Sequence, residues 1–344
     1  MKLNLSSGKV DMSHGSGGRA MTNLIQALFV KYLDNDILRQ GNDGASFDMP
    51  IDMGADRMVM ATDGHVISPL FFPGGDIGSL AVHGTVNDVA MMGAKPLYLA
   101  AGFILEEGFP LTDLESIVAS MASAASAAGV AIVTGDTKVV EKGKGDGVFI
   151  TTTGVGVVAE GVNVSGDRAQ AGDVVLISGS MGDHGIAILS KREHLEFDTA
   201  IESDSAALNG LVADMIGAAP QIHCLRDPTR GGLATTLNEL AAQSGVGMQL
   251  NESAIPVKRQ VAAACELLGI DPLYVANEGK LIAICAEEDT VNLLGVMRGH
   301  PLGRDAAVIG RVLEDRHHLV QMQTRLGGQR LVDWLVGEQL PRIC

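Results

Sequence analysis

No GxxxxGK[ST] run occurs anywhere in the chain, which excludes a P-loop. None of the four cysteines, Cys224, Cys265, Cys285 and Cys344, sits in a CxxC pair, so neither a zinc site nor a disulfide framework is signalled. Aromatics make up only 3% of residues, leaving aliphatic side chains and methionine to fill the interior. Cations are outnumbered, 25 Lys and Arg against 41 Asp and Glu, for a net charge of −16. That balance argues against binding nucleic-acid backbone, which needs clustered Lys and Arg. It also means that an anionic ligand needs local help from a cation, backbone amides or a metal. The start, MKLNLSSGKVDMSH, has no apolar signal core, and no apolar stretch is long enough for a bilayer. A reduced, cytoplasmic compartment and no membrane partner are the expectation.

What is present describes an α/β chain of two domains: 344 residues, 46% hydrophobic, with 43 glycines for turns. The turn His14-Gly15-Ser16-Gly17-Gly18 runs into the helical stretch AMTNLIQALFVKYL. RMVMAT, LYLAAGF, VAIVT and VFITTTGVGV read as strands, GSLAVHGTVNDVAMMG and LTDLESIVASMASAASAAG as helices. The polar segment EGVNVSGDRAQAGD marks the boundary. Beyond it come a strand, DVVLISGS, helices near His184–Ser190, Ser205–Ile216, Gly231–Gln243 and Lys258–Leu268, and strands at LIAICA and AAVIGRVL. The expected divisions are a glycine-rich segment and helix over 1–42, a first domain over 43–165, a second domain over 166–325, and a flexible tail over 326–344. Gly327-Gly328 reads as the joint before that tail, and His317-His318 as a solvated pair.

Two features carry chemistry. Asp63, Asp88, Asp136 and Asp227 fall at expected strand ends or in apolar settings, where an unpaired carboxylate is costly. Without a P-loop, such a set points to Mg²⁺ bridging nucleotide phosphates, or else to separate turn and cap residues. HGSGG before a helix fits an anion cradle and equally an ordinary turn. Lys138 and the Glu278-Gly279-Lys280 run are candidates for proton transfer or phosphate contact, and His14, His83 and His184 for polar contacts. Cys265 and Cys285 lie in apolar runs and read as core residues. The second feature is Cys344, the last residue, which has nothing after it to staple. Its thiol suits carrying a covalent group, and a tail of about fifteen residues could reach roughly 50 Å.

HGSGG, ATDGHVISPLFFPGGDIG, HGTVNDVAMMGAKPLYLAAGFILEEG, VTGDTKVV, SGSMGDHG, LRDPTRGG, ANEGK and the terminal PRIC together resemble the HypE family of hydrogenase maturation factors. That family sits within the PurM-like ATP-using superfamily, and the resemblance runs from about residue 13 to Cys344. It implies a two-domain PurM-like fold whose N-terminal domains pair their sheets in a homodimer. It also implies that a carbamoyltransferase, HypF, loads the terminal thiol. ATP-dependent dehydration then converts the carbamoyl group to a thiocyanate. The cyano group passes to iron on a HypC–HypD scaffold, for a NiFe-hydrogenase centre. Carried over by position, Asp63, Asp88 and Asp136 would bind magnesium. His14, Gly15, Ser16, Gly17 and Gly18 would line the triphosphate, with Thr137 and Asp227 nearby. Lys138 and Glu278 would move protons, and Cys344 would be the acceptor. Pro341 would stiffen the approach and Ile343 would dock in an apolar channel. Two rival readings are an enzyme of the same fold acting on a free small molecule and a non-catalytic scaffold. The lack of any cysteine before Cys224 disfavours a selenophosphate-synthetase chemistry.

Overall fold

In the computed structural model, residues 4–14, 18–40, 55–195, 201–335 and 343 are described. The N-terminal helical stretch is α1 (Gly18–Leu24), a π-helical turn over Ile25–Val30, and one further turn, α2 (Lys31–Leu33). Then follow β1 (Ala55–His65), the short pair β2 (Phe71–Phe72) and β3 (Gly75–Asp76), α3 (Ile77–Met91), β4 (Ala94–Glu106), α4 (Leu111–Ala128), β5 (Ala131–Val140) and β6 (Val148–Ala159). The four long strands form one sheet in the order β1-β6-β4-β5. β4 and β5 run parallel, joined by α4, as a βαβ crossover requires.

α3 is the element that organises the molecule. Asp76 caps it, accepting from the Gly78 and Ser79 amides while the Ser79 hydroxyl returns to the Asp76 amide. Of its fifteen residues nearly all are buried, so it is a core helix rather than a surface one. It touches the sheet at β1, β4 and β6 and helix α4, and it also reaches into the second half of the chain.

The second half contains β7 (Val174–Ile177), α5 (Asp183–Arg192), α6 (Asn209–Ala218), β8 (Cys224–Arg226), α7 (Gly232–Ser244), β9 (Gly247–Asn251), α8 (Arg259–Leu268), β10 (Ile282–Cys285), α9 (Thr290–Gly299), β11 (Ala307–Leu313), β12 (Val320–Gln323) and β13 (Gln329–Leu331). Its strands form a seven-stranded sheet, β13-β12-β9-β11-β7-β10-β8, antiparallel except between β12 and β9. β7 and β10 are buried at every position, which fits their unbroken apolar runs. Cys224, Cys265 and Cys285 are unpaired and buried, and burial pushes each thiol up to about 11. No helix among the described residues is long and apolar enough to cross a membrane.

Three sequence expectations need correction. Gly327-Gly328 is not a joint before a free tail: Gly327, at φ +85°, turns a hairpin whose return strand is β13, and Val332 is buried behind it. The expected flexible segment therefore contributes to the second sheet at least as far as Val332. The helix expected from Ser205 begins only at Asn209, because Ser205–Leu208 are drawn aside by hydrogen bonds to α3. Asp63 and Asp136 do not follow their strands but lie within them, since pairing continues to His65 in β1 and to Val140 in β5.

Candidate active site

The sequence-predicted residues separate into two groups at opposite edges of the first sheet. Asp63 pairs in register with Thr152, Thr152 with Ala101, and Ala101 with Gly135, the neighbour of Asp136. Three strand spacings of about 4.8 Å therefore separate Asp63 from Asp136, roughly 14 Å within one chain. Asp136, called a magnesium ligand alongside Asp63 and Asp88, is not brought to them here.

At the β5 edge, Asp136 accepts from the Thr137 amide at 2.8 Å and forms an ion pair with Lys138. That partner, together with the Thr137 amide, holds the Asp136 carboxyl below its ordinary range. Lys138 is thus engaged with Asp136, and is not brought to Glu278. The turn Met12–His14 lies against β5, and the His14 Nδ1 accepts from the Asp11 amide at 3.0 Å. Gly18 opens α1 beside it, whereas Gly15, Ser16 and Gly17 lie outside the described residues. A cavity of about 110 Å³ borders this edge, lined by Met21, Phe29, Phe103, Asp136 and Thr137 among others.

The other group gathers around α3. Helical periodicity places Gly84 and Asp88 on one face and His83 and Asn87 on the next. Gly84 faces β1 closely: a Cβ there would stand 3.1 Å from the His65 ring and 3.6 Å from the Asp63 carboxylate. Asp88 faces the cleft that β8 and Asp227 border, about 580 Å³ and lined also by Met60, Met92 and Arg226. Burial, then the charges of Asp227 and Asp63, push the Asp88 carboxyl up to about 7. Burial, with Asp63 adding to it, raises Asp227 to about 6. Glu278 is 4% exposed, its Oε1 has no protein hydrogen-bond partner, and burial with four neighbouring carboxylates raises it well above the usual range. These acids repel one another, yet no three His, Cys, Asp or Glu side chains among the described residues form a ready-made metal centre.

His83 and Asn87 connect α3 to a segment that sequence reading did not single out. His83 Nδ1 lies 2.9 Å from Ser205 Oγ, the Asn87 amide donates to the Ala206 carbonyl at 3.0 Å, and its oxygen accepts from the Leu208 amide at 2.7 Å. Burial lowers His83 to about 4, so it is neutral. Between the serines, Asp204 accepts from the Glu278 and Gly279 amides at 3.1 and 3.3 Å and pairs with Lys280 at 3.2 Å. Gly279 has to be glycine here, since a Cβ would meet the Asp204 carbonyl oxygen at 1.7 Å. The available signal was the polar Glu202-Ser203-Asp204-Ser205 run between two helical patterns.

The same segment reaches the end of the chain. Ser203 Oγ lies 2.8 Å from His184 Nδ1, and His184 Nε2 lies 2.7 Å from the Ile343 carbonyl oxygen. Ile343 is 4% exposed and belongs to the apolar cluster that holds Phe72, Ile188 and Ala276. The expected docking of Ile343 in an apolar setting is therefore observed. Cys344 lies outside the described residues. Chemically, the arrangement offers a group of acids with raised proton affinity, backed by a segment that is joined to the penultimate residue through His184.

A two-domain α/β chain with such an acidic cleft and no P-loop matches a known class. Residues 41–158 match the AIR synthase related protein N-terminal domain and residues 170–323 the C-terminal domain. The carbamoyl dehydratase HypE of Cupriavidus necator is 71% identical over 342 residues, 99% of this chain and 97% of that one. The crystal structure of the hydrogenase maturation protein HypE in complex with ATP superposes with a TM-score of 0.93 at 53% identity, covering 97% of this chain and 99% of that one. A HypE–HypF complex superposes with a TM-score of 0.79 at 50% identity, covering 91% and 99%. The chain belongs to the AIR synthase related proteins and, among them, to the carbamoyl dehydratase HypE family.

Proposed function

We propose that this chain uses ATP to dehydrate an S-carbamoyl group on its own Cys344, yielding a protein thiocyanate for hydrogenase maturation. The observation that carries the reading is the docked end: the carbonyl of Ile343, one peptide bond before the thiol-bearing residue, is held by His184, whose other ring nitrogen bonds Ser203, the neighbour of the Asp204 that holds the Glu278 amide. A free-substrate enzyme has no use for its own penultimate residue there.

In balance, the carboxamide oxygen displaces ADP from the terminal phosphorus. Two N–H protons then leave, and phosphate departs with that oxygen, turning S–C(=O)NH₂ into S–C≡N. Proton removal from a weakly acidic amide needs a base of raised proton affinity, which is what burial among carboxylates supplies at Glu278. Lys138, the other residue expected to move protons, would act from the opposite sheet edge. The 580 Å³ cleft is in the range of small-molecule sites. ATP binding is the reading that the ATP complex of a 53% identical relative supports.

Magnesium fits the donor set, because crowded carboxylates with raised proton affinity are relieved by a hard divalent cation. Mg²⁺ keeps water and phosphate oxygens, so it needs one or two protein carboxylates rather than a closed cage. Asp63, Asp88 and Asp227 would hold it, and when bound it would neutralise charge on the triphosphate. Asp136, with Thr137, His14 and the glycine turn 15–18, would complete the triphosphate site from a second copy in the implied homodimer. HypF is the proposed loading partner, in line with the HypE–HypF complex, and a HypC–HypD iron scaffold the acceptor. The domain divisions 43–165 and 166–325 and a cytoplasmic location belong to the same reading, supported for the latter by three unpaired cysteines.

The test is mass spectrometry of the terminal peptide after incubation with carbamoyl phosphate, HypF and Mg-ATP. A cyanide-bearing adduct on Cys344, absent in Cys344→Ser while ATP binding persists, is the expected outcome. An unmodified terminus in the wild type, or an adduct elsewhere, would overturn the reading.

A further inference from the structure

We propose that His184 is a positioning residue that latches the docked chain end through the Ile343 carbonyl, with Ser203 selecting the imidazole tautomer that can do so. The inference rests on the reading that the terminal residue is the substrate, and it adds the group that holds it.

The hydrogen-bond polarity leaves one arrangement. A carbonyl oxygen only accepts, so the Nε2 at 2.7 Å from Ile343 must carry the hydrogen. Ser203 Oγ already accepts from the Ser205 amide at 3.0 Å, which frees its hydroxyl hydrogen for His184 Nδ1 at 2.8 Å. A neutral ring protonated on Nε2 satisfies every partner at once. Burial, the largest influence on this fully enclosed ring, also favours the neutral form. Phe72 stands edge-on to the imidazole, ring centres 5.6 Å apart at 89°, which restrains the ring plane.

The environment is complete only with the end in place. His184 follows the first residue of α5, and both of its ring hydrogen bonds go outside that helix, one to Ser203 and one to Ile343. Remove Ile343, and a fully buried N–H loses its protein acceptor, which is costly. The bonded carbonyl belongs to the peptide group joining Ile343 to Cys344. The hydrogen bond therefore fixes the plane from which the last residue departs, while the buried Ile343 side chain adds apolar affinity. Because Ser203 adjoins Asp204, the latch and the Glu278 amide share one short stretch of backbone.

The experiment compares His184→Leu, His184→Gln and Ser203→Ala with the wild type, all as full-length chains. The first readout is the rate at which a soluble thiol reagent labels Cys344; the other three cysteines are buried, so labelling reports the terminus. The second is the single-turnover rate of dehydration of the previously carbamoylated chain with Mg-ATP. Loss of one buried hydrogen bond should speed labelling by His184→Leu roughly five- to tenfold and slow single turnover by a similar factor. His184→Gln should restore most of both, because its amide N–H can reach the same carbonyl, and Ser203→Ala should fall between. Unchanged labelling in His184→Leu would overturn the latch, as would equal effects of Leu and Gln accompanied by equal losses of thermal stability. Faster labelling of His184→Leu in a chain whose wild type forms no thiocyanate would uphold the latch and sink the functional reading instead.

Discussion

The two edges of the first sheet carry acids of opposite character. At β5, Asp136 is paired with Lys138 and the Thr137 amide, and its carboxyl is held low. Around α3, on the β1 side, Asp88, Asp227 and Glu278 form no ion pair among the described residues, Arg226 only partly offsets burial at Asp88 and Asp227, and the three carboxyls are pushed up. One edge is electrostatically at rest; the other is loaded against itself. Proteins retain such frustration where a ligand removes it, since it costs stability when the ligand is absent. The comparison supports placing the proposed cation beside Asp88 and Asp227 rather than beside Asp136.

The strongest way to break the comparison is Glu278→Gln. A residue that moves a proton should lose about 10²- to 10⁴-fold in single-turnover dehydration. Stability should not fall, because burial beside four carboxylates already raises the proton affinity of this side chain, and a neutral amide of the same shape removes that repulsion. Calorimetry beside single-turnover kinetics checks both halves of the statement. Next comes mixing Asp88→Asn with Asp136→Asn chains, each inactive alone. If the two edges meet across a symmetric dimer, mixed dimers carry one intact site, and about a quarter of wild-type activity should return on subunit exchange. No recovery would confine the site to one chain.

A smaller effect is pH dependence. Asp88 titrates near 7 in the folded chain against an ordinary value of 3.8. A raised carboxyl binds more protons folded than unfolded, so its contribution is complete below the ordinary value and is lost as pH rises through about 7. The chain without magnesium or nucleotide should lose on the order of 1 kcal/mol between pH 6.5 and 8, and Asp88→Asn should flatten that fall. The buried His83, lowered from 6.5 to about 4, works in the opposite sense mainly between those values and offsets part of the fall only at the lower end of this window. Chemical denaturation at the two pH values measures the difference. The least effect belongs to the β5 edge: Lys138→Ala should cost below about 1 kcal/mol of stability, since both members of the pair are more than half exposed.

Much of the fold was legible because periodicity and length agreed. The runs around Met58, Leu99, Ile132 and Ile150 became the four strands of the first sheet, and the apolar stretch holding Asp88 became a core helix. Short or polar elements were not legible. β8 and β13 are three residues each and carry no periodic signal, and they exist because neighbouring strands provide the pairing. For the site, Asp63, Asp88, Asp227 and Glu278 were read and do come together electrostatically. Asp136 and Lys138 were grouped with them because strand order cannot be seen in sequence: nothing in VTGDTK says that β5 lies at the far edge from β1. His184 was noted only as a polar contact, since its partner is 159 residues away, at the end of the chain.

The most direct measurement of whether the chain is its own substrate is stoichiometric. Chains carbamoylated on Cys344, purified free of the carbamoyltransferase and mixed with Mg-ATP, should release one ADP per carbamoyl group and then stop, each losing the mass of one water. Continued ADP release beyond that equivalence, or a burst that leaves the carbamoyl group intact, would contradict the account.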